Sequence, residues 1–350
     1  MIPVMKPKLA NFEMASRYLS EVDQNRIFTN YGPLVRQVES RYADFLGVKP
    51  ENVVALVNAT LAIQGCAQIS EVKKWAMPNF TFAATAHAVK LAGKEIQLVD
   101  VNRENWKINL EYVDSESLGI IPVMPFGSPV DVKDYAHWDH VIIDAAASLG
   151  STLSNIKMLK PDHFVVYSLH ATKVLGAGEG SVVICGSEEK AKLLRAWANF
   201  GFSELRESSF IGTNAKMTEY VAAYALAALD QKNNEESEWN KVLNYKKKLI
   251  EEIGMLNISD LYPGFRPYWI FHLEERSKSL IDNLNINGIG NRSWWATPIS
   301  SMAAFSDIEV IGGSSISLEL SKSLIGLPMW RDLSFKSIEK IVEIIESSME

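Results

Sequence analysis

The residue of this chain best placed for covalent chemistry is Lys173. It lies in Tyr167-Ser168-Leu169-His170-Ala171-Thr172-Lys173-Val174-Leu175-Gly176-Ala177-Gly178-Glu179-Gly180, where an apolar run ends in a polar cluster and a Gly-rich loop leads back into another apolar run. In open α/β sheets, ligands bind outside the carboxyl ends of the strands. A lysine there can act as a Schiff-base nucleophile when its surroundings lower its pKa. Taken alone, a lysine here reads better as a surface lysine that follows a strand.

A second segment changes that balance. Val141-Ile142-Ile143-Asp144-Ala145-Ala146-Ala147-Ser148 reads as a buried strand that delivers one carboxylate at its end, 29 residues before the lysine. A lysine for an imine and a carboxylate that keeps a pyridine nitrogen protonated are the pair that pyridoxal 5'-phosphate (PLP) requires as an electron sink. Asp144 by itself could equally be a helix cap or turn residue. Val57-Asn58-Ala59-Thr60-Leu61 passes from strand to helix, and the free N–H groups of a helix start, with a threonine hydroxyl, suit a phosphate. In Pro78-Asn79-Phe80-Thr81-Phe82-Ala83-Ala84-Thr85, an aromatic side chain is available to cover a cofactor ring or to fill a core.

These residues need a scaffold that brings several strand ends together. Short apolar runs at Val53–Val57, Trp75–Pro78, Ile96–Val99, Ile120–Met124, Val141–Ile143, Phe164–Tyr167 and Val182–Cys185 alternate with helical stretches at Thr60–Ser70, Thr81–Ala92 and Ser187–Asn199. The pattern predicts an α/β fold with a mostly parallel sheet between helices, its strands buried on both faces. Pro33 opens a further helix in which Leu34, Val38, Tyr42 and Phe45 share a face. A polar run at Asn233–Glu238 precedes a charged helix at Trp239–Ile253 and a terminal amphipathic helix at Ser334–Ser348. The division expected is a large domain over 1–235, including the N-terminal segment, and a smaller C-terminal α+β domain over 236–350.

Composition bounds the function. The 350 residues are about 2.3 times a usual domain length. A formal charge of -7, with no basic run longer than Lys246-Lys247-Lys248, argues against a nucleic-acid partner. Two cysteines, Cys66 and Cys185, make no disulfide framework or cysteine-rich metal site, and His87, His137, His140, His163 and His272 lack metal-ligand spacing. No metal is expected. The N-terminus lacks the charged and apolar regions of a signal peptide, and no apolar window reaches membrane-spanning length. A reduced, cytoplasmic, globular protein without a membrane partner is the expectation.

The motifs together resemble the DegT/StrS family of PLP-dependent sugar-nucleotide aminotransferases, which have the aspartate-aminotransferase fold (fold type I). The resemblance runs nearly end to end: Thr29-Asn30-Tyr31-Gly32-Pro33, Asn58-Ala59-Thr60, Thr81-Phe82-Ala83-Ala84-Thr85, Asp144-Ala145-Ala146 and Ser168-Leu169-His170-Ala171-Thr172-Lys173. It continues with Gly178-Glu179-Gly180, Gly212-Thr213-Asn214-Ala215-Lys216-Met217-Thr218-Glu219, Arg292-Ser293-Trp294-Trp295 and Gly326-Leu327-Pro328-Met329. The lysine segment and the segment ending in Glu219 are the specific ones.

The resemblance implies a role for each position. Lys173 carries the cofactor and shuttles the proton, Asp144 pairs with the pyridine nitrogen, and Phe82 stacks on the ring. Ala59, Thr60 and Ser168 hold the phosphate. His170 has a positioning role beside Lys173. Asn214 reaches the cofactor phosphate of the other subunit, which implies a homodimer with shared sites. Tyr31, Arg292, Trp294, Lys216 and Arg26 are the substrate-binding candidates, with Arg292 first for the diphosphate. The chain departs from many relatives at Ala59, where they have glycine, and at Ala147, where they have a hydrogen-bonding side chain. The implied reaction converts a nucleotide-linked keto-deoxysugar, dTDP-4-keto-6-deoxyglucose being favoured, to the amino sugar with glutamate as donor. A 3-keto sugar or a GDP or UDP carrier stays open. The rival reading is a non-catalytic PLP-fold protein used for binding or regulation.

Overall fold

The computed structural model describes residues 1–113, 118–202, 206–253, 267–272 and 278–348. Its helices are α1 (Phe12–Asn25), α2 (Pro33–Leu46), α3 (Ala59–Ile69), α4 (Ala83–Leu91), α5 (Glu188–Trp197), α6 (Glu219–Asp230), α7 (Lys232–Glu252), α8 (Lys278–Ile286), α9 (Ser315–Ser323) and α10 (Phe335–Ser347). The strands are β1 (Val53–Leu56), β2 (Lys74–Pro78), β3 (Glu95–Val99), β4 (Gly119–Ile120), β5 (Val130–Asp131) and β6 (Val141–Asp144), followed by β7 (Leu153–Ser154), β8 (His163–Ser168), β9 (Ser181–Cys185), β10 (Trp269–His272), β11 (Val310–Ile311) and β12 (Leu324–Leu327).

Eight of the strands form one sheet in the order β1-β9-β8-β6-β4-β2-β3-β11. Among the described residues β9 alone is reversed: it runs antiparallel to β1 and β8, and every other neighbouring pair is parallel. The near-continuous apolar runs are explained by burial on both faces. Along β1, Val53 and Ala55 pack with α1, α2 and α6, while Val54 and Leu56 pack with α3, α4 and α5. The same alternation runs through Ile143 and Ile142 and through Val165 and Val166. The sheet therefore points the carboxyl ends of β2, β6 and β8 to one edge, as the sequence reading requires.

Local chemistry sets the helix starts. Asn58, Ser187, Thr218 and Ser334 each turn a side-chain oxygen onto a backbone N–H of the first turn, which satisfies one of the donors a helix start leaves open. At α2 the cap comes from far away. The Glu219 carboxylate accepts from the N–H groups of Leu34 and Val35 at 2.8 and 3.0 Å. A Cβ at Gly32 would lie 2.6 Å from the Glu219 carboxyl carbon, so this position needs glycine. The glutamate that ends the Gly212–Glu219 segment is thus a structural clamp between α6 and α2, whose hydrogen bonds contribute about 1.5–3 kcal/mol each.

Two expectations need correction. Ile120–Met124 is a ladder strand only at Gly119–Ile120, because Pro122 has no N–H to donate; a bridge from Val123 to Asp144 extends it. The polar run at Asn233–Glu238 is the first part of α7. Glu235 and Glu238 pair there with the buried guanidinium of Arg331, so the run is a packed helix turn. Residue 235 accordingly falls inside a continuous helix. β11 of the tail adds to the edge of the main sheet beside β3.

Elsewhere in the described tail, α7, α8 and α10 pack on the β10–β12 pair, around Trp239, Phe271, Leu284 and Ile341. A smaller aromatic cluster joins the two regions: Phe80, Trp106 and Phe126 meet Tyr268, Trp294 and Trp295.

Candidate active site

The three strand ends and the aromatic junction enclose a cavity of about 430 Å³. Asn58, Ala59, Thr60, Phe82, Asp144, Ser168, His170 and Lys173 line one side, and Arg292, Trp294, Trp295 and Tyr268 line the other.

Asp144 closes β6 and is 7% exposed. Its Oδ2 accepts from the Thr85 hydroxyl at 2.7 Å, and its Oδ1 accepts from the Ala146 N–H at 3.2 Å. Burial pushes its carboxyl pKa up; the Thr85 hydroxyl, the Ala146 N–H and the positive charge of Lys173 pull the other way. A carboxylate so placed needs a cation beside it.

Lys173 sits in the turn after β8, its N–H donating to the His170 carbonyl at 2.8 Å. The turn is tight. A Cβ at Gly176 would meet the His170 carbonyl oxygen at 2.8 Å, and Gly178 takes φ +95°. The Lys173 ammonium donates to the Tyr268 hydroxyl at 2.8 Å. His170 Nδ1 accepts from the Thr172 N–H at 3.2 Å and lies 2.8 Å from the Thr172 hydroxyl. A backbone N–H can only donate, so the neutral imidazole carries its proton on Nε2, the atom 3.9 Å from the Glu179 carboxylate.

The α3 start is open. Asn58 Oδ1 accepts from the Leu61 N–H at 2.8 Å, and the N–H groups of Ala59 and Thr60 have no acceptor among the described residues. Ser168 Oγ accepts from the His170 N–H, which leaves its own O–H to donate. Phe82 caps α4 with its ring 63% exposed.

These features fit PLP. Open N–H groups at a helix start and a serine hydroxyl match a phosphate, the buried carboxylate matches a protonated pyridine nitrogen, and the bare Phe82 ring matches a planar face. Ala147 also lines the cavity, and its methyl offers no hydrogen bond.

The opposite wall is aromatic. Trp295 stacks on Phe126 with ring centres 4.3 Å apart, and Trp294 meets Tyr268 edge to face at 6.0 Å. The exposed Arg292 guanidinium lies over Trp294 at 4.9 Å. Arg292 is anchored by paired backbone hydrogen bonds to Gly326. A Cβ at Gly326 would fall 1.9 Å from Trp294 Nε1, so the absence of a side chain there makes room for the indole.

Four of the residues singled out from the sequence do not line this cavity. Tyr31 is packed against the main core and donates its hydroxyl to the Arg195 carbonyl. Arg26 is exposed at the end of α1. The Lys216 ammonium donates to Asn199 Oδ1 and lies over the Phe200 ring, and burial lowers its pKa. Asn214 is exposed beside Asn199. Sequence reasoning missed Thr85, Phe126 and Tyr268. Only Thr85 left a signal, four residues after Thr81 on the helix that follows β2.

Comparisons with known proteins place the fold and the family. The chain is 28% identical to the dTDP-4-amino-4,6-dideoxy-D-glucose transaminase of Shigella dysenteriae, over 98% of this chain and 97% of that protein. It is 24% identical to the GDP-perosamine synthase of Escherichia coli O157:H7, with the same coverage. In fold it is similar to the crystal structure of DesI in the presence of its TDP-sugar product, with a TM-score of 0.86 at 23% identity over 99% of this chain and 92% of that one. The profile of the DegT/DnrJ/EryC1/StrS aminotransferase family matches residues 11–346, and the chain belongs to that family of PLP-dependent aminotransferases.

Proposed function

We propose that the protein transfers an amino group from glutamate to the keto carbon of a nucleotide-linked 6-deoxyhexose, the favoured substrate being dTDP-4-keto-6-deoxyglucose. One observation carries the reading: Lys173 and Asp144 face a single cavity whose far wall carries an exposed arginine over an indole. The names of the Shigella transaminase and of DesI's TDP-sugar product support the dTDP carrier and the C4 position. A GDP carrier is the second reading, favoured by the name of the perosamine synthase.

Bound PLP supplies an electron sink for the charge that develops at the donor's α-carbon. Lys173 Nζ is the base that takes the α-proton and the acid that returns a proton. Asp144, held by Thr85 and Ala146, keeps the proton on the pyridine nitrogen. Ala59, Thr60 and Ser168 fix the phosphate, Phe82 covers the ring, and His170 orients the turn that holds Lys173. Arg292 offers a charge to the diphosphate, and Trp294 an apolar face to the sugar or base. Phe126 and Trp295 exclude water.

Asn214 supports a homodimer. It is exposed and outside its own chain's cavity, free to reach a partner's cofactor phosphate. Arg26, Tyr31 and Lys216 belong to the same proposal as residues of the shared face. The proposal keeps the division at 1–235 and 236–350, with α7 crossing it, and a cytoplasmic location.

The test incubates the holoenzyme with glutamate and a panel of nucleotide-linked keto-sugars, and identifies the product by mass spectrometry and NMR. Amination at C4 of the dTDP sugar is expected. Exclusive amination at C3, or of the GDP sugar, would replace the proposed substrate, and no amination of any sugar or exchange with any donor would favour the non-catalytic reading.

A further inference from the structure

Tyr268 precedes β10, in the tail, yet its hydroxyl lies 2.8 Å from Lys173 Nζ, 95 residues away in the chain. The residue is 5% exposed. Its ring is held edge to face by Phe126 at 5.7 Å and by Trp294 at 6.0 Å. Among the described residues its hydroxyl has no hydrogen-bond partner other than Lys173. A phenol both donates and accepts, so it can hold the lysine nitrogen as ammonium or as amine.

We infer that Tyr268 is a positioning residue that orients the Lys173 amine whenever that amine is not bonded to the cofactor. The inference rests on the reading of Lys173 as the reactive lysine. A four-carbon lysine stem released in a cavity of about 430 Å³ has many rotamers. One fixed hydroxyl selects the rotamer that holds Nζ at its position in the cavity, an orientational gain that would appear in the rate rather than in binding. The hydrogen bond favours the ammonium, because a charge-assisted bond is stronger than a neutral one. The other charged or titratable groups around Lys173 are Asp144, His170, Glu179 and Arg292 on the cavity side, and Lys6, Lys8, Glu235 and Arg331 on the far side. None of them is removed by changing Tyr268.

The experiment compares wild type with Tyr268→Phe, which keeps the ring packing and loses the hydroxyl. Each full-length protein is loaded with pyridoxamine phosphate, which leaves Lys173 unbonded. Carbamylation of Lys173 by cyanate is then followed by mass spectrometry across pH. The labelling midpoint of Tyr268→Phe is expected to fall by about half to one pH unit. In turnover, kcat is expected to fall about tenfold with little change in the KM for the amino donor. An unchanged midpoint overturns the inference, as does a KM that rises with no loss of kcat. If the variant does not fold, 3,5-difluorotyrosine at position 268 replaces it. Its phenol ionises at a lower pH than tyrosine, and the negative oxygen beside Nζ is expected to move the midpoint upward; no movement overturns the inference. The labelling needs no sugar substrate, so it fails independently of the proposed reaction. Attachment of the cofactor at another lysine would remove the premise and, with it, the inference.

Discussion

The two walls of the cavity are built in different ways. The proposed cofactor wall comes from segments where a strand ends and the next residues act: Asp144 at the end of β6, with Thr85 behind it, Lys173 in the turn after β8, Phe82 after β2, and Ala59 and Thr60 after β1. The aromatic wall is assembled from distant pieces, with Phe126 from the sheet region meeting Tyr268, Trp294 and Trp295 of the tail. A wall made of strand ends inherits the rigidity of the sheet and suits chemistry that needs fixed atoms. A wall made of packed rings can change shape by substitution without disturbing the sheet, which suits substrate choice.

If that contrast is right, changes to the cofactor wall should cost more than changes to the aromatic wall. Lys173→Ala is expected to reduce transamination by about 10⁴-fold or more, measured as amino-sugar formation, while circular dichroism stays that of the wild type. Asp144→Ala comes next, at about 10²- to 10³-fold in kcat, because it removes the carboxylate proposed to hold the ring proton. An Asp144→Ala enzyme within threefold of wild type would break the contrast.

Thr85→Val should be milder. The Thr85 hydroxyl is the largest influence that lowers the Asp144 pKa against burial, so its loss raises that pKa further. The carboxylate is then lost at a higher pH as the solution is acidified, and the acid limb of cofactor binding moves upward. A hydrogen bond to a charged group is worth about 1.5 kcal/mol or more, so cofactor Kd near neutral pH is expected to rise about tenfold. Fluorescence titration of the apoprotein at several pH values checks both the size and the direction.

The smallest effect belongs to the aromatic wall. Trp294→Ala is expected to raise KM for the sugar nucleotide about three- to tenfold with little change in cofactor affinity. A large loss of cofactor instead would show that the two walls are not separable.

The same contrast explains how much the sequence reveals. Strands buried on both faces leave nearly continuous Val and Ile runs, so β1, β2, β3, β6, β8 and β9 are legible, and so are the polar residues at their ends. Helix α6 leaves no such mark: Ala222, Ala223 and Ala225–Ala228 are buried almost all round, so it has no apolar stripe to read. Pro122 broke a run that composition alone made look like one strand. The Asn233–Glu238 run looked like a boundary because the partner of its glutamates, Arg331, lies about a hundred residues further on. Tyr268 was invisible for the same reason. Nothing in Tyr268-Trp269-Ile270-Phe271 points to a lysine 95 residues earlier.

The position of Lys173 is the claim on which both walls depend. Reduction of the holoenzyme with borohydride, followed by peptide mass spectrometry, tests it most directly. The cofactor mass is expected on the peptide that carries Lys173 and nowhere else; its appearance on another lysine, such as Lys216, would contradict the assignment.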